Sequence, residues 1–348
     1  MSTVASLIPS SSRRRIHKVV LWLKRIGLGL LITVIMLCAA GFIYQAVATE
    51  ADKRNYPPPG QLIDVGGYRL HLYCVGEGSP TVILDAAFPA QGSNWVWVQS
   101  ALSPHTQVCA YDRADLGWSD LSPQPNDTRQ NAQALHTLLV NANVPSPYIL
   151  VGHSFGGLYV RMFAELYPDE TVGIVFIEGT LPDGLKALGK PDVMPNAPDA
   201  DMMDATPFIS RLGILRLVGF PATDPDLPEP QRSELQAYLA STKLAESLKR
   251  QYHLFPALLA QVRPLYIAGS LGDIPVAVVL GSEGDGGITE WKELFAQQAA
   301  LSSNNKTVMV DGADHVSLVD RRDHAVQTSA AILEVLEAAR TGEPLAQK

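Results

Sequence analysis

The hexapeptide Gly152-His153-Ser154-Phe155-Gly156-Gly157 carries the clearest chemistry in the chain. A serine hydroxyl can attack a carbonyl carbon, provided that a neighbouring base removes its proton. The pattern G-x-S-x-G alone is weak, since at about 7% each for Gly and Ser chance supplies about 0.1 copies in a chain this long. Context strengthens it. Tyr148-Ile149-Leu150-Val151 reads as a strand just before it, and residues 158–166 read as a helix just after. A strand-to-helix turn sharp enough to expose a serine is strained, and β-carbons on either side would meet the neighbouring strand and helix, so glycine is required there. A glycine-rich turn without chemical role is the competing reading, and the flanking elements weigh against it.

Such a turn needs a sheet to hold it. Residues 61–65 and 68–75 are strand-like and flank Gly66-Gly67, which suits a tight hairpin. Further short apolar runs occupy residues 81–85, 107–111, 148–151, 172–178, 276–280 and 306–310, most of them separated by helix-length segments. Continuous β-branched runs indicate strands buried on both faces, hence an α/β protein with a mostly parallel eight-stranded sheet covered by helices. Residues 179–273 interrupt the rhythm with a Pro- and Asp-rich opening and helical periodicity over 233–252, and predict an inserted, largely helical cap between core segments 61–178 and 274–340.

The N-terminal segment has a different character. Residues 26–48 contain no charge and as a helix would span roughly 35 Å, against about 30 Å of hydrocarbon, so they predict one transmembrane helix. Residues 1–25 form a basic tail with Arg13, Arg14, Arg15, Lys18, Lys24 and Arg25 and no acid. Such a flank predicts a cytoplasmic N-terminus and a body on the extracytoplasmic side. Ala46-Val47-Ala48 fits a signal-peptide cleavage pattern, but the apolar run exceeds the usual signal length; a buried core helix is the third reading. Residues 49–60, ending in Tyr56-Pro57-Pro58-Pro59-Gly60, read as a short stiff linker.

Composition excludes several classes. The chain has 348 residues, 47% of them hydrophobic, which rules out disorder throughout. Outside the basic tail, 21 of the 27 Lys and Arg face all 35 Asp and Glu, so nucleic-acid binding by the body is not expected. Three cysteines without C-x-x-C or His spacing leave a structural zinc site without ligands.

Over nearly all of residues 61–340 the chain resembles the α/β-hydrolase superfamily, in particular its membrane-anchored capped members. Val82-Ile83-Leu84-Asp85-Ala86-Ala87-Phe88-Pro89 is similar to the family's third strand and oxyanion loop, with Ala86-Ala87 where His-Gly is usual. The segment from Cys109 to Asp120, Cys109-Ala110-Tyr111-Asp112-Arg113-Ala114-Asp115-Leu116-Gly117-Trp118-Ser119-Asp120, resembles the fourth strand and its loop. The resemblance implies Ser154 as nucleophile. It implies His315, in Asp311-Gly312-Ala313-Asp314-His315, as base. It implies Asp285 after the seventh strand as the acid, with Glu178 and Glu283 as alternatives. His324 is expected in a terminal helix as a solvated residue, and His153 either as packing or as support beside the site, but not as the base. Backbone N–H groups of Phe88 and Phe155 would hold the oxyanion.

The implied activity is a serine hydrolase cleaving an ester, thioester or amide through an acyl-serine, without metal or organic cofactor. Serine in place of aspartate disfavours the branches that open epoxides or displace halide. A short-peptide aminopeptidase and a non-catalytic scaffold on a hydrolase fold are the alternatives. Met202, Met203, Phe208, Ile209, Leu212, Ile214, Leu215 and Phe220 make the cap apolar, either to receive an apolar acyl or alcohol group or merely to seal the cap on the sheet. The oligomeric state is open. The family's strand order places strand 2 beside strand 4, so Cys74 and Cys109 form a disulfide if their register matches and otherwise stay buried thiols.

Overall fold

The computed structural model describes residues 10–195, 197–219, 226–283 and 289–346. It begins with one helix, α1 (Ser10–Asn55). Among the described residues this is the one helix long and apolar enough to cross a membrane. It does not stop with the uncharged run at residue 48. Glu50, Ala51, Lys53 and Arg54 favour helix, Lys53 pairs with Glu50 at 2.7 Å, and the prolines from Pro57 onward stop the chain from continuing. The expected linker is therefore shortened from its N-terminal side.

Eight strands follow: β1 (Gln61–Asp64), β2 (Arg69–Val75), β3 (Thr81–Asp85), β4 (Val108–Tyr111), β5 (Tyr148–His153), β6 (Thr171–Ile177), β7 (Val276–Gly281) and β8 (Asn305–Val310). They lie within two residues of the expected runs at every end. The sheet order is β1-β2-β4-β3-β5-β6-β7-β8, with β1 and β2 antiparallel to their neighbours and the remainder parallel. β3, β4, β5 and β7 are buried at every position, which is why they read as unbroken apolar runs.

Each face of the sheet has its own core. On one side Ile83, Leu150, Ile174 and Val278 pack with α3 (Thr128–Asn141), α4 (Gly156–Leu166) and α9 (Thr242–Val262). On the other, Val82, Ile149, Val175 and Val279 pack with α2 (Val96–Leu102) and α12 (Arg322–Thr341). Alternation along the strands sends successive side chains to opposite cores.

Between β6 and β7 lie α5 (Gly184–Ala187), α6 (Ala200–Arg211), α7 (Ile214–Val218), α8 (Gln231–Leu239) and α9. The helical periodicity over 233–252 is carried by two helices. Ser241 caps α9 by accepting the Leu244 N–H at 3.1 Å, which starts a new helix where the periodicity looked continuous. The C-terminal half of α9, through Phe255, Leu258, Leu259 and Val262, belongs to the sheet's own core. Two further helices are α10 (Thr289–Ala299) and α11 (Ser317–Asp320).

Cys74 and Cys109 are directly opposed on β2 and β4, with Cα atoms 4.0 Å apart, and they form a disulfide. His324 departs from expectation: it lies on α12, yet it is buried, with its Nδ1 3.0 Å from the Ser317 hydroxyl.

Candidate active site

Ser154 stands between β5 and α4 with φ of +52°, a left-handed conformation that costs energy for a residue with a β-carbon. Backbone bonds hold it there: its N–H donates to the Ile177 carbonyl at 3.0 Å, and its carbonyl accepts from Gly157 at 2.9 Å and Thr180 at 2.8 Å. The glycines are sterically required. A β-carbon on Gly152 would sit 2.7 Å from Gly156 and Gly157 backbone atoms, and one on Gly156 would sit 2.3 Å from the Asp85 carbonyl oxygen. Phe155 follows at the N-terminal end of α4, where the helix dipole favours negative charge.

His315 comes from the loop after β8. Asp314 shapes that loop by accepting the N–H groups of Val316 at 3.0 Å and Ser317 at 2.9 Å. The His315 Nδ1 lies 2.6 Å from Glu178 Oε2. Glu178, at the end of β6 with φ of +39°, accepts the Gly281 N–H on its other carboxylate oxygen at 2.9 Å. A buried carboxylate with both oxygens engaged is held in one orientation. The residue expected from the family pattern, Asp285, lies outside the described residues. Glu283 is exposed, and its N–H donates to the Ala313 carbonyl at 2.8 Å.

Ser154, Glu178 and His315 line one cavity of about 770 Å³, together with Phe88 and Phe155. Most of its remaining wall is apolar and comes from the loop after β6 and from the cap. The eight cap residues singled out by sequence divide by position. Met202, Met203, Ile209 and Leu215 line this cavity, whereas Leu212 and Ile214 line a groove against α1. Phe208 places its ring 6.1 Å from that of Phe42 on α1. Phe220 lies outside the described residues.

His153 takes no direct place at the cavity wall. Its Nε2–H donates to the His315 carbonyl at 2.8 Å, and its ring lies 4.7 Å from that of His315. Burial, then the nearby His315, holds its pKa well below the ordinary histidine value, so it is neutral near pH 7.

Asp85, Tyr111 and Arg113 form a buried group beside the loop that carries Phe88. Arg113 donates to the Ala86 carbonyl at 2.5 Å and to the Ala87 carbonyl at 3.4 Å, and it forms a buried ion pair with Asp85. The Tyr111 hydroxyl donates to Asp85 at 2.5 Å, and the Arg113 guanidinium lies 4.7 Å over the Tyr159 ring. These contacts hold the backbone immediately before Phe88. The signal available in the sequence was an acid ending one strand and a base just past the end of its neighbour.

A sheet of this order, with a serine on the turn after β5 and a histidine after β8 in one cavity, is the architecture of an α/β hydrolase. The chain belongs to the alpha/beta hydrolase family, whose model matches residues 82–328. An uncharacterized protein of Schizosaccharomyces pombe is 28% identical over 294 residues, covering 74% of this chain and 52% of its own length. A thermophilic esterase from Thermogutta terrifontis superposes with a TM-score of 0.54 at 19% identity, over 80% of this chain and 97% of that one. An epoxide hydrolase from Vigna radiata gives 0.60 at 16%, over 80% and 97%. These structural likenesses show the fold alone. The chain spans about half or less of the length of the curated relatives it matches.

Proposed function

We propose that the protein is a serine hydrolase of acyl substrates, foremost esters, with Ser154 as nucleophile, His315 as base and Glu178 as the acid. The observation that carries this reading is the 2.6 Å contact of His315 Nδ1 with Glu178, on a histidine that shares the cavity with Ser154. Glu178 replaces Asp285 as the preferred acid because an oriented carboxylate already occupies Nδ1, leaving Nε2 for the serine proton.

The steps follow from these positions. Ser154 Oγ attacks the carbonyl carbon as its proton passes to His315, and the carbonyl oxygen becomes an oxyanion near the Phe88 and Phe155 N–H groups. Collapse breaks the bond to the alkoxide, which takes the proton from His315 and leaves as an alcohol. Water then attacks the acyl-serine with His315 as base, and the carboxylic acid and free Ser154 are released. No step calls on a metal or organic cofactor.

The name of the Thermogutta terrifontis esterase agrees with this chemistry. The reading includes an anchor at residues 26–48 after the basic tail, a core of 61–178 and 274–340 under a cap of 179–273, and a body outside the cytoplasm. The Cys74–Cys109 bridge supports that side of the membrane, since disulfides persist in oxidising compartments. The test is a fluorophosphonate probe together with turnover of short acyl esters. Wild type should be labelled and active, and Ser154→Ala should be folded, unlabelled and below a tenth of wild-type turnover. A variant above that level would remove Ser154 from the mechanism.

A further inference from the structure

The cap is built against the apolar helix, and the position of that contact along α1 is informative. At 1.5 Å per residue, about 30 Å of hydrocarbon takes up roughly 20 residues, so a bilayer entered at Ile26 is left near Gln45. The cap meets α1 both below that level and beyond it. A β-carbon on Gly41 would sit 2.4 Å from the Leu212 carbonyl oxygen, so glycine permits this backbone approach. Ile214 and Leu217 share a groove with Leu37, Cys38, Ala40 and Tyr44 of α1. Leu37 stands eight residues, about 12 Å, before the exit level. The polar contacts fall at or beyond the exit level: Gln45 donates to the Ala240 carbonyl at 3.0 Å, and Arg216 pairs at 2.7 Å with Asp52, about 10 Å further along the helix.

On α7, Ile214, Leu217 and Val218 share one face by helical spacing, and Leu217 and Val218 remain 72% and 79% exposed. Leu215 instead lines the cavity that holds Ser154. Met202 on α6 both lines that cavity and is exposed, which marks a mouth on this edge of the cap.

We propose that the α6–α7 edge of the cap is seated in the hydrocarbon of the leaflet on the body's side of the membrane, and that the cavity takes a bilayer-resident long-chain acyl ester through it. The exposed apolar face then has the partner that its register with α1 supplies, and it loses its cost in water. A substrate of this class crosses from lipid to the serine along apolar side chains. The docking rests on α1 spanning the membrane, and the substrate rests on the hydrolase reading.

The two parts are tested on the full chain in phosphatidylcholine vesicles. With Cys38→Ser as background, an environment-sensitive fluorophore on Val218→Cys should be quenched by phosphatidylcholine carrying a doxyl group on its acyl chain. The same label on Val326→Cys, an exposed position of α12, should not. Equal quenching at the two positions would overturn the docking whether or not the protein is active. For the substrate, the Leu217→Glu/Val218→Glu variant should cleave a vesicle-embedded palmitoyl ester at least tenfold more slowly than wild type. Cleavage of a water-soluble acetyl ester should stay within twofold. Equal rates on the embedded ester would overturn delivery from the bilayer. Wild type inactive on both esters would instead remove the hydrolase reading and the proposed substrate with it, while the quenching result still decides the docking.

Discussion

At the scale of residues, the position of Glu178 meets two geometric demands. It must end β6 and also turn its carboxylate toward His315, and the left-handed φ of +39° is how the backbone meets both demands. A neutral amide would keep the shape but lose the charge that stabilises imidazolium. Glu178→Gln should therefore lower kcat by about a hundredfold or more, as loss of the acid does elsewhere. Asp285→Asn should cost less; steady-state kinetics on a short ester would reveal the opposite ranking if Asp285 holds the role. His153 has a pH signature of its own. Its folded pKa is depressed, so below the ordinary value of about 6.5 the unfolded chain binds the proton and the native state resists it. Stability should fall as pH drops from 7.5 to 5.5, and His153→Asn should flatten that slope in thermal melts.

At the scale of elements, the loop after β3 is held by an ion pair buried at the end of that interior strand. Burial raises the Asp85 carboxyl above its usual pKa, while Arg113 and Tyr111 oppose that rise by favouring the charged form. Removing one partner strands the other, so Arg113→Met should destabilise the fold by about 3–5 kcal/mol in denaturant titrations. It should also lower kcat more than it raises KM, because it frees the Ala86 and Ala87 carbonyls that precede the Phe88 N–H. The double variant Asp85→Asn/Arg113→Met should regain part of the stability and none of the kcat. Recovery of both would mean that the loop holds its shape without the clamp.

At the scale of the whole molecule, the disulfide staples β2 to β4 at the antiparallel edge of the sheet. Closing a loop with a sequence separation of 35 should contribute about 3–4 kcal/mol, chiefly by restricting the unfolded chain. Cys74→Ala/Cys109→Ala should lower the melting temperature accordingly, and reductant should lower that of wild type but not of the double variant. A reporter fused after Lys348 should be active only outside the cytoplasm, the side where this bridge would form; a cytoplasmic signal would reverse the orientation.

The strands, the elbow and the apolar helix were legible in the sequence because each rests on local physics. Period-two and unbroken apolar runs reflect burial, the glycine before Ser154 reflects contact with the next turn of chain, and the charge-free run of 26–48 is a length matched to a bilayer. What tertiary structure decided depends on residues far apart in sequence. Glu178 and His315 are separated by 137 positions, and which acid meets the imidazole is set by how β6, β7 and β8 stack in register. The register of Cys74 with Cys109, and the burial of His324, likewise depend on neighbours that no local pattern names. The split of the cap's apolar residues between the cavity and α1 was also invisible, since hydrophobicity records that a side chain avoids water without recording which surface receives it.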